Sequence, residues 1–339
     1  MTRTTPPRPL DIEVVFPELR AHRGTTTRLH PRPGRPGVRD SSVGGPLRWP
    51  REEPWPVCPE AHGPRRGRRP ADIHRARRVL AGAWSRDPAH GPTDEERRLL
   101  GALREEHRAE SAPVPLVGLA QLYRRDVPDL LPGPGGRDLL QVLWCPFDAH
   151  GASGYEPFLD VRWRYSAGTG DADVRTDPPP TPQVVGHDGY VPEPCVLHPE
   201  QVTTYPFAGS LPAELRARLD AWDEENDAGD EEDDGAPAPA YPYDLSIPPG
   251  WRAGGFASWH TTDPYPMNCA RCRTPLRLLL TVDTTEWDGG SGSWRPVEEP
   301  EAWGHALAAP TQVVVGRWGE LNLFACPADP AHPHAWSIQ

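Results

Sequence analysis

Two stretches decide the fold: VGGPLRWPREEPWPVCPEAH at 43–62 and AGGFASWHTTDPYPMNCARC at 253–272. Both carry two glycines, three further residues, a tryptophan and a proline-containing loop that delivers a cysteine. Gly44, Gly45, Trp49 and Cys58 align with Gly254, Gly255, Trp259 and Cys269, with one extra loop residue in the second stretch. Working outward, each is followed by an apolar run, LVGLAQLY from Leu116 and LRLLLTV from Leu276. Each then ends in a strand-like run that stops at Cys-Pro, with Asp and His close behind. These ends are LLQVLWCPFDAH (Cys145, His150) and LNLFACPADPAH (Cys326, His332). A period this long predicts a duplicated domain rather than a solenoid. The expected fold class is α+β: two strand-rich, mainly antiparallel repeats with a helical insertion.

The repeated pattern brings thiols and imidazoles to matching places. In the second repeat the candidate metal ligands are Cys269, Cys272, Cys326 and His332, with His334 as an alternative to His332. Cys-x2-Cys on a tight loop presents two thiolates to one tetrahedral ion, and four protein ligands make a structural rather than a catalytic zinc site. In the first repeat the matching set is Cys58, His62, Cys145 and His150, with Cys-x3-His in place of Cys-x2-Cys. Buried, inert thiols are the plainer reading of the same cysteines. Cys195 and His198 are left over and read as structural or exposed.

Composition sets the frame. The chain has 339 residues with 46 Pro and 32 Gly, which favours turns and short strands over a helical bundle. All 36 basic residues are Arg, and the net charge is −12. Residues 1–80 hold 17 Arg against 8 acids. The densest cluster, PRRGRRPADIHRARR at 64–78, has the charge for phosphate contacts but no interleaved aromatics, so nucleic-acid binding is disfavoured. Its plainer readings are a solvated loop and helix start, or pairing with the acidic run at 220–234. The N-terminus lacks the apolar core of a secretory signal, and no window reaches the ~18 apolar residues of a membrane span. A cytoplasmic protein with no membrane partner is expected, and in a reducing compartment metal binding is the favoured use of a Cys-x2-Cys pair.

Four segments follow from the pattern. Residues 1–40 form a Pro/Arg-rich segment with one strand-like run, IEVVF at 12–16, and a mobile stretch around HPRPGRPGVRD. Residues 41–210 hold the first repeat, a helical insertion and further strands. Thr93 with Glu96 makes a capping box ahead of ERRLLGALREEHRAE, with Leu99, Leu100 and Leu103 on one face. In PFLDVRWRY at 157–165 apolar and charged residues alternate, the mark of a half-buried strand. The proline-broken run at 184–207 suits an edge strand or a surface excursion. Residues 211–240 read as a helix capped by Ser210, ending near Asn226, and then an acidic linker without fixed structure. Residues 241–339 hold the second repeat. Trp49 and Trp259 are expected to pack under the glycine turns, whereas Trp287 and Trp294 flank a glycine-rich loop and suit an exposed contact surface.

The runs SSVGGPLRWP, EEPWPVC, PLVGLAQLY and LLQVLWCP, with GGFASWH, CARCRTPLRLLLTV and LNLFACP, resemble the YwqG-like bacterial family. The second set is also distantly similar to the C-terminal region of programmed cell death protein 2. The first resemblance implies a duplicated, strand-dominated α+β fold; the second implies chaperone-like protein binding. A cytoplasmic interaction module with structural zinc and a protein partner is therefore the first expectation. The alternatives are a hydrolase with a site between the repeats, using His187, Asp188, His260 and Asp263, or a weak nucleic-acid binder acting through the arginines at 64–78.

Overall fold

Both apolar runs form strands in the computed structural model, which describes residues 2–110, 112–167, 173–230, 238–299 and 308–339. The chain opens with a short helix α1 (Ile12–Val15) and strands β1 (Gly24–Arg28), β2 (Arg32–Pro33), β3 (Ser42–Val43) and β4 (Arg65–Gly67). Helices α2 (Pro70–Arg86) and α3 (Asp94–Leu103) follow, then β5 (His107–Ala109), β6 (Val117–Tyr123), β7 (Leu139–Trp144) and β8 (Leu159–Arg164). Next come β9 (Cys195–Val196), β10 (Glu200–Thr204), α4 (Ala213–Asp230), β11 (Arg252–Ala253), β12 (Arg277–Asp283), β13 (Glu320–Ala325) and β14 (Ala335–Ile338). Two six-stranded antiparallel sheets result, ordered β2-β9-β3-β6-β7-β8 and β10-β1-β11-β12-β13-β14, with a small β4-β5 ribbon beside them. The architecture is mixed α/β and dominated by antiparallel pairing. Among the described residues no helix is long and apolar enough to cross a membrane.

The two sheets correspond in register. Ser42 lies opposite Gln121, Gln121 opposite Gln141, and Gln141 opposite Arg162. Arg252 lies opposite Thr281, Thr281 opposite Asn322, and Asn322 opposite Ser337. The register slips once in each long pair, between Gly118 and Ala120 in β6 and between Leu278 and Leu280 in β12. Such a bulge adds one residue to one strand and swaps which face the following side chains meet. Beyond the bulges Leu122, Leu140 and Val142 share a single apolar core with Leu280, Val282, Leu321 and Leu323. The opposite faces carry buried polar rows. An arm lies over each, starting at a glycine turn that only glycine forms readily: Gly44 has φ 62° and Gly254 φ 67°.

The sheets do not divide the chain into consecutive halves. β1 and β10 pair with each other on the edge of the later sheet, while β2 and β9 join the earlier one. The segment at 24–33 thus supplies a strand to each sheet. Thr27 on β1 also donates at 2.8 Å to Asp129, in the loop between β6 and β7.

Several expectations need correction. IEVVF is not a strand: Ile12–Val15 is a helical turn capped by the Asp11 carboxylate on the Glu13 amide, and Ile12 and Phe16 share one buried cluster. The cap and the i, i+4 apolar pair override the β propensity of the valines. The stretch around HPRPGRPGVRD is fixed: His30 and Arg32 are buried, and Arg32 bonds Glu299 at 2.8 Å. The capping box at Thr93 and Glu96 forms, but the helix stops at Leu103 and HRA becomes β5. Ser210 lies in a short 3-10 turn, and α4 runs on to Asp230, past the expected end at Asn226. The expected acidic linker falls partly at 231–237, outside the described residues. The proline-broken run splits: β10 is an edge strand, whereas β9 lies inside its sheet between β2 and β3.

A Cβ at Gly254 would lie 2.6 Å from the Asp129 carbonyl oxygen as well as being strained by φ. Gly254→Ala is therefore expected to destabilise by about 1–3 kcal/mol. Gly101→Ala, in open space on α3, is expected to stabilise by about 0.5–1 kcal/mol. Thermal unfolding of the two variants should shift in opposite directions.

Candidate metal centres

The first candidate centre is built on the end of a core strand. Leu143 and Cys145 follow the outward alternation of β7, and the Cys145 amide donates to the Phe158 carbonyl at 3.0 Å. Cys58 is held from the other side, its amide bonded to the Val114 carbonyl at 2.8 Å. His62 arrives one loop later. His150 is fixed by a two-way backbone bridge with Glu156. The ligand atoms of Cys58, His62, Cys145 and His150 all lie within 4.8 Å of one another, and all four residues are buried. Cys58 Sγ is 3.1 Å from His150 Nε2 and 3.2 Å from His62 Nε2; Cys145 Sγ is 3.3 Å from His62 Nε2. Tetrahedral bonds of about 2.0–2.3 Å need ligand–ligand edges of about 3.3–3.8 Å, so little contraction or expansion is required. His150 Nδ1 is 3.2 Å from the Glu156 carbonyl, which can only accept. The proton therefore sits on Nδ1 and leaves Nε2 for ligation, the usual outer-sphere device. The Phe147 and Phe158 rings flank the imidazoles at 5.4 and 5.7 Å. Burial, with neighbouring Arg65 and His150, lowers the His62 pKa and keeps the ring neutral. Burial and then Cys58 push the Cys145 thiol up.

The second candidate centre rests on a tight turn. The Cys269 carbonyl accepts from the Arg273 amide at 2.9 Å, and Arg273 takes φ 65° to close the turn. Cys269 and Cys272 then point the same way. Cys326 follows directly on β13, and His332 returns after a turn at Asp329. The ligand atoms of Cys269, Cys272, Cys326 and His332 again lie within 4.8 Å of one another. Cys269 Sγ is 3.5 Å from His332 Nδ1, and Cys272 Sγ is 3.5 Å from Cys326 Sγ. The Asp329 carboxylate lies 3.5 Å from His332 Nε2 and directs Nδ1 to the thiols. Hydrogen bonding with the Thr274 side chain and backbone holds the Cys272 thiol down, to about 6. Burial pushes Cys326 up. Cys272 is exposed, unlike any ligand of the first centre.

Each cluster could hold a metal ion. Three thiols with one imidazole, or two with two, are soft and borderline donors that suit late first-row ions. Among the described residues both clusters supply four protein ligands, so neither leaves a position for substrate. His334 is not in the second cluster; its buried Nε2 has no partner among the described residues. Cys195 is buried alone on β9 and donates to the Pro310 carbonyl.

Other sequence candidates do not converge. His187 lines a groove with Asp148 and Tyr190, whereas His260 lines a different one with Asp283 and Glu320. Asp188 is engaged by Arg68, and Asp263 lies exposed in the loop before the Cys269 turn. No shared acid–base site is assembled from these four residues. The 64–78 arginines pair with Asp188 and Glu193 through Arg68 and Arg77, not with the described part of the acidic run. Trp287 and Trp294 are buried rather than exposed. Trp294 is covered by the Arg8 guanidinium 3.4 Å above its ring, and its indole donates to the Tyr243 carbonyl. Trp49 and Trp259 are buried as expected, Trp49 against the ring of Trp55.

No family model matches the chain, and no curated protein matches it.

Cobalt(II) is a direct probe of both clusters. Loading is expected to give tetrahedral visible bands and thiolate charge-transfer absorption, with two thiolates contributing at the first centre and three at the second. Cys145→Ser should remove the two-thiolate contribution and Cys272→Ser should weaken the three-thiolate one, read by absorption titration.

Proposed function

We propose that this chain is a non-enzymatic, cytoplasmic interaction or chaperone-like module whose two halves are each clamped by one structural zinc ion. The observation that carries the reading is the convergence of two closed Cys/His sets, each joining a loop to the end of a core strand. A structural zinc stabilises by tying distant segments together in the folded state. The first ion would join residues 58–62 to 145–150, and the second would join 269–272 to 326–332. Free thiols at all six cysteines agree with a reducing compartment.

The shared strand order, the matching bulges and the ligands in corresponding places support an origin by internal duplication. They also agree with the YwqG-like resemblance and with the likeness to programmed cell death protein 2. Under this reading a protein partner adds to a sheet edge. β8 is a suitable edge, because it pairs with β7 alone among the described residues.

Elemental mass spectrometry of untagged protein, purified without chelator, is expected to find close to two zinc ions per chain. Cys269→Ser and Cys145→Ser should each remove one. Chelation of both ions should lower the melting temperature by about 10 °C, from about 4 kcal/mol of stabilisation per ion at a thousandfold excess over Kd. Protein without metal, with unchanged melting in both variants, would overturn the reading.

A further inference from the structure

On the outward face of the second sheet the central strand pair ends in charge, where the central pair of the first ends in packing. Asp283 on β12 lies directly opposite Glu320 on β13. At the same register of the first sheet Tyr123 lies opposite Leu139. All four residues are buried. The sheet can therefore be closed at this point by an aromatic and an aliphatic side chain. Buried like charges facing each other across a strand pair are costly, so their presence calls for a cause.

One arginine serves the pair. Arg252, 1% exposed, donates through Nη1 to Glu320 at 3.2 Å and through Nη2 to Ser258 at 2.9 Å. Its Nε has no partner among the described residues. Asp283 accepts from the Gly250 and Thr285 amides at 2.8 and 3.1 Å and, among the described residues, from no side chain that would neutralise it. Burial and then Glu320 push its carboxyl up to about 7. Burial acts on Glu320 as well, but Arg252, Ser258 and Asn322 outweigh it and hold that carboxyl below its ordinary range.

Arg252, Asp283 and Glu320 line a groove of about 660 Å³, a size suited to a small ligand. Two exposed aromatics, Trp318 and Tyr243, line it as well. Trp318 is held at φ 69°, a strained backbone for a bulky residue and one that recurs at ligand sites. Aromatic faces attract organic cations.

We propose that this groove binds a ligand of the basic amino-acid kind. Its ammonium or guanidinium group meets Asp283 and Glu320 beside the Trp318 and Tyr243 rings, and a carboxylate or carbonyl oxygen accepts from Arg252 Nε. A free amino acid and a basic residue within a peptide both offer this chemistry. The site is independent of the metal clusters, so it stands or falls separately from the zinc reading.

Isothermal titration calorimetry of the full-length protein, with its metal as purified, tests this. The probes are L-arginine, the tripeptide Gly-Arg-Gly, and L-norvaline as a control without a side-chain cation. Saturable binding of either arginine probe is expected, with norvaline weaker by about tenfold or more, which is about 1.4 kcal/mol. Tighter binding of the tripeptide would identify a peptide ligand, and the reverse a free amino acid. Asp283→Asn should weaken binding about tenfold. Trp318→Ala should weaken it about two- to fivefold. Should Asp283→Asn fail to fold, Trp318→Ala and the norvaline control decide. Silence from both arginine probes at about 10 mM, enough to reveal millimolar affinity, would overturn the proposal. So would binding indifferent to Trp318→Ala and to loss of the side-chain cation.

Discussion

A pair of glutamines with no solvent exposure governs the first half of the molecule. Gln121 and Gln141 face each other on neighbouring strands, and Gln141 donates to Gln121 at 2.8 Å. An unmet amide in that position would cost about 1–3 kcal/mol. Gln121 also donates to the Val38 and Asp40 carbonyls and Gln141 accepts from Arg164, and one passing backbone meets both: the Arg48 amide donates to Gln121, and the Arg48 carbonyl accepts from Gln141. That requirement pins the arm after the glycine turn against the sheet. Trp49 is the next residue, and the loop beyond it carries Cys58 to the end of β7. In the second half Asn322 donates to the Ser258 carbonyl one residue before Trp259. Satisfying a buried side chain is thus what aims each cysteine loop at the strand that carries its partner thiol.

Once aimed, the two clusters differ in what surrounds them. Cys58 and Cys145 belong to an apolar cluster with Leu116, Leu143 and Phe147. Closing that centre is continuous with closing the core, and its four ligands are buried. The second centre has Cys272 at the surface on a self-contained turn. Exchange and oxidation of thiols follow access and thiolate character. The same donor chemistry therefore gives one buried cluster and one that solvent can reach.

How much was legible in the sequence depends on how local each cause is. Cysteine is rare in this chain, and a rare residue at the end of a repeated pattern stands out, so all eight residues of the clusters could be named from spacing alone. The capping box at Thr93 and Glu96 is similarly local. The helical turn at Ile12 was not legible as such, because its burial depends on Tyr205 and Leu215 far along the chain. The order around His30 and Arg32 comes from Glu200, Glu286 and Glu299, which nothing nearby announces. Trp294 reads as exposed until Arg8 is known to cover it. Strand β1, GTTTR, has no apolar residue, and its place inside a sheet follows from pairing with β10 and β11.

The carboxylate pair was hidden for a subtler reason. Asp283 and Glu320 sit 37 residues apart at the ends of apolar runs, where charges normally mark a strand boundary. Their confrontation depends on a bulge that shifts β12 by one residue against β13, and a one-residue change reverses every facing. Comparing the two sheets restores the meaning. On one, the central residues Ser42, Gln121, Tyr123 and Leu139 carry no charge, and the arginines of that face, Arg162 and Arg164 on β8, pair with Glu53; on the other, Arg252, Thr281, Asp283 and Glu320 bring charge onto the central strands themselves. The shared strand order accounts for the strands, the bulges and the two Cys/His clusters. It does not account for the carboxylates on the central strand pair, because β6 and β7 pair without them. What differs between two otherwise corresponding faces is not dictated by the strand order they share, and it is there that selection by a ligand has room to act.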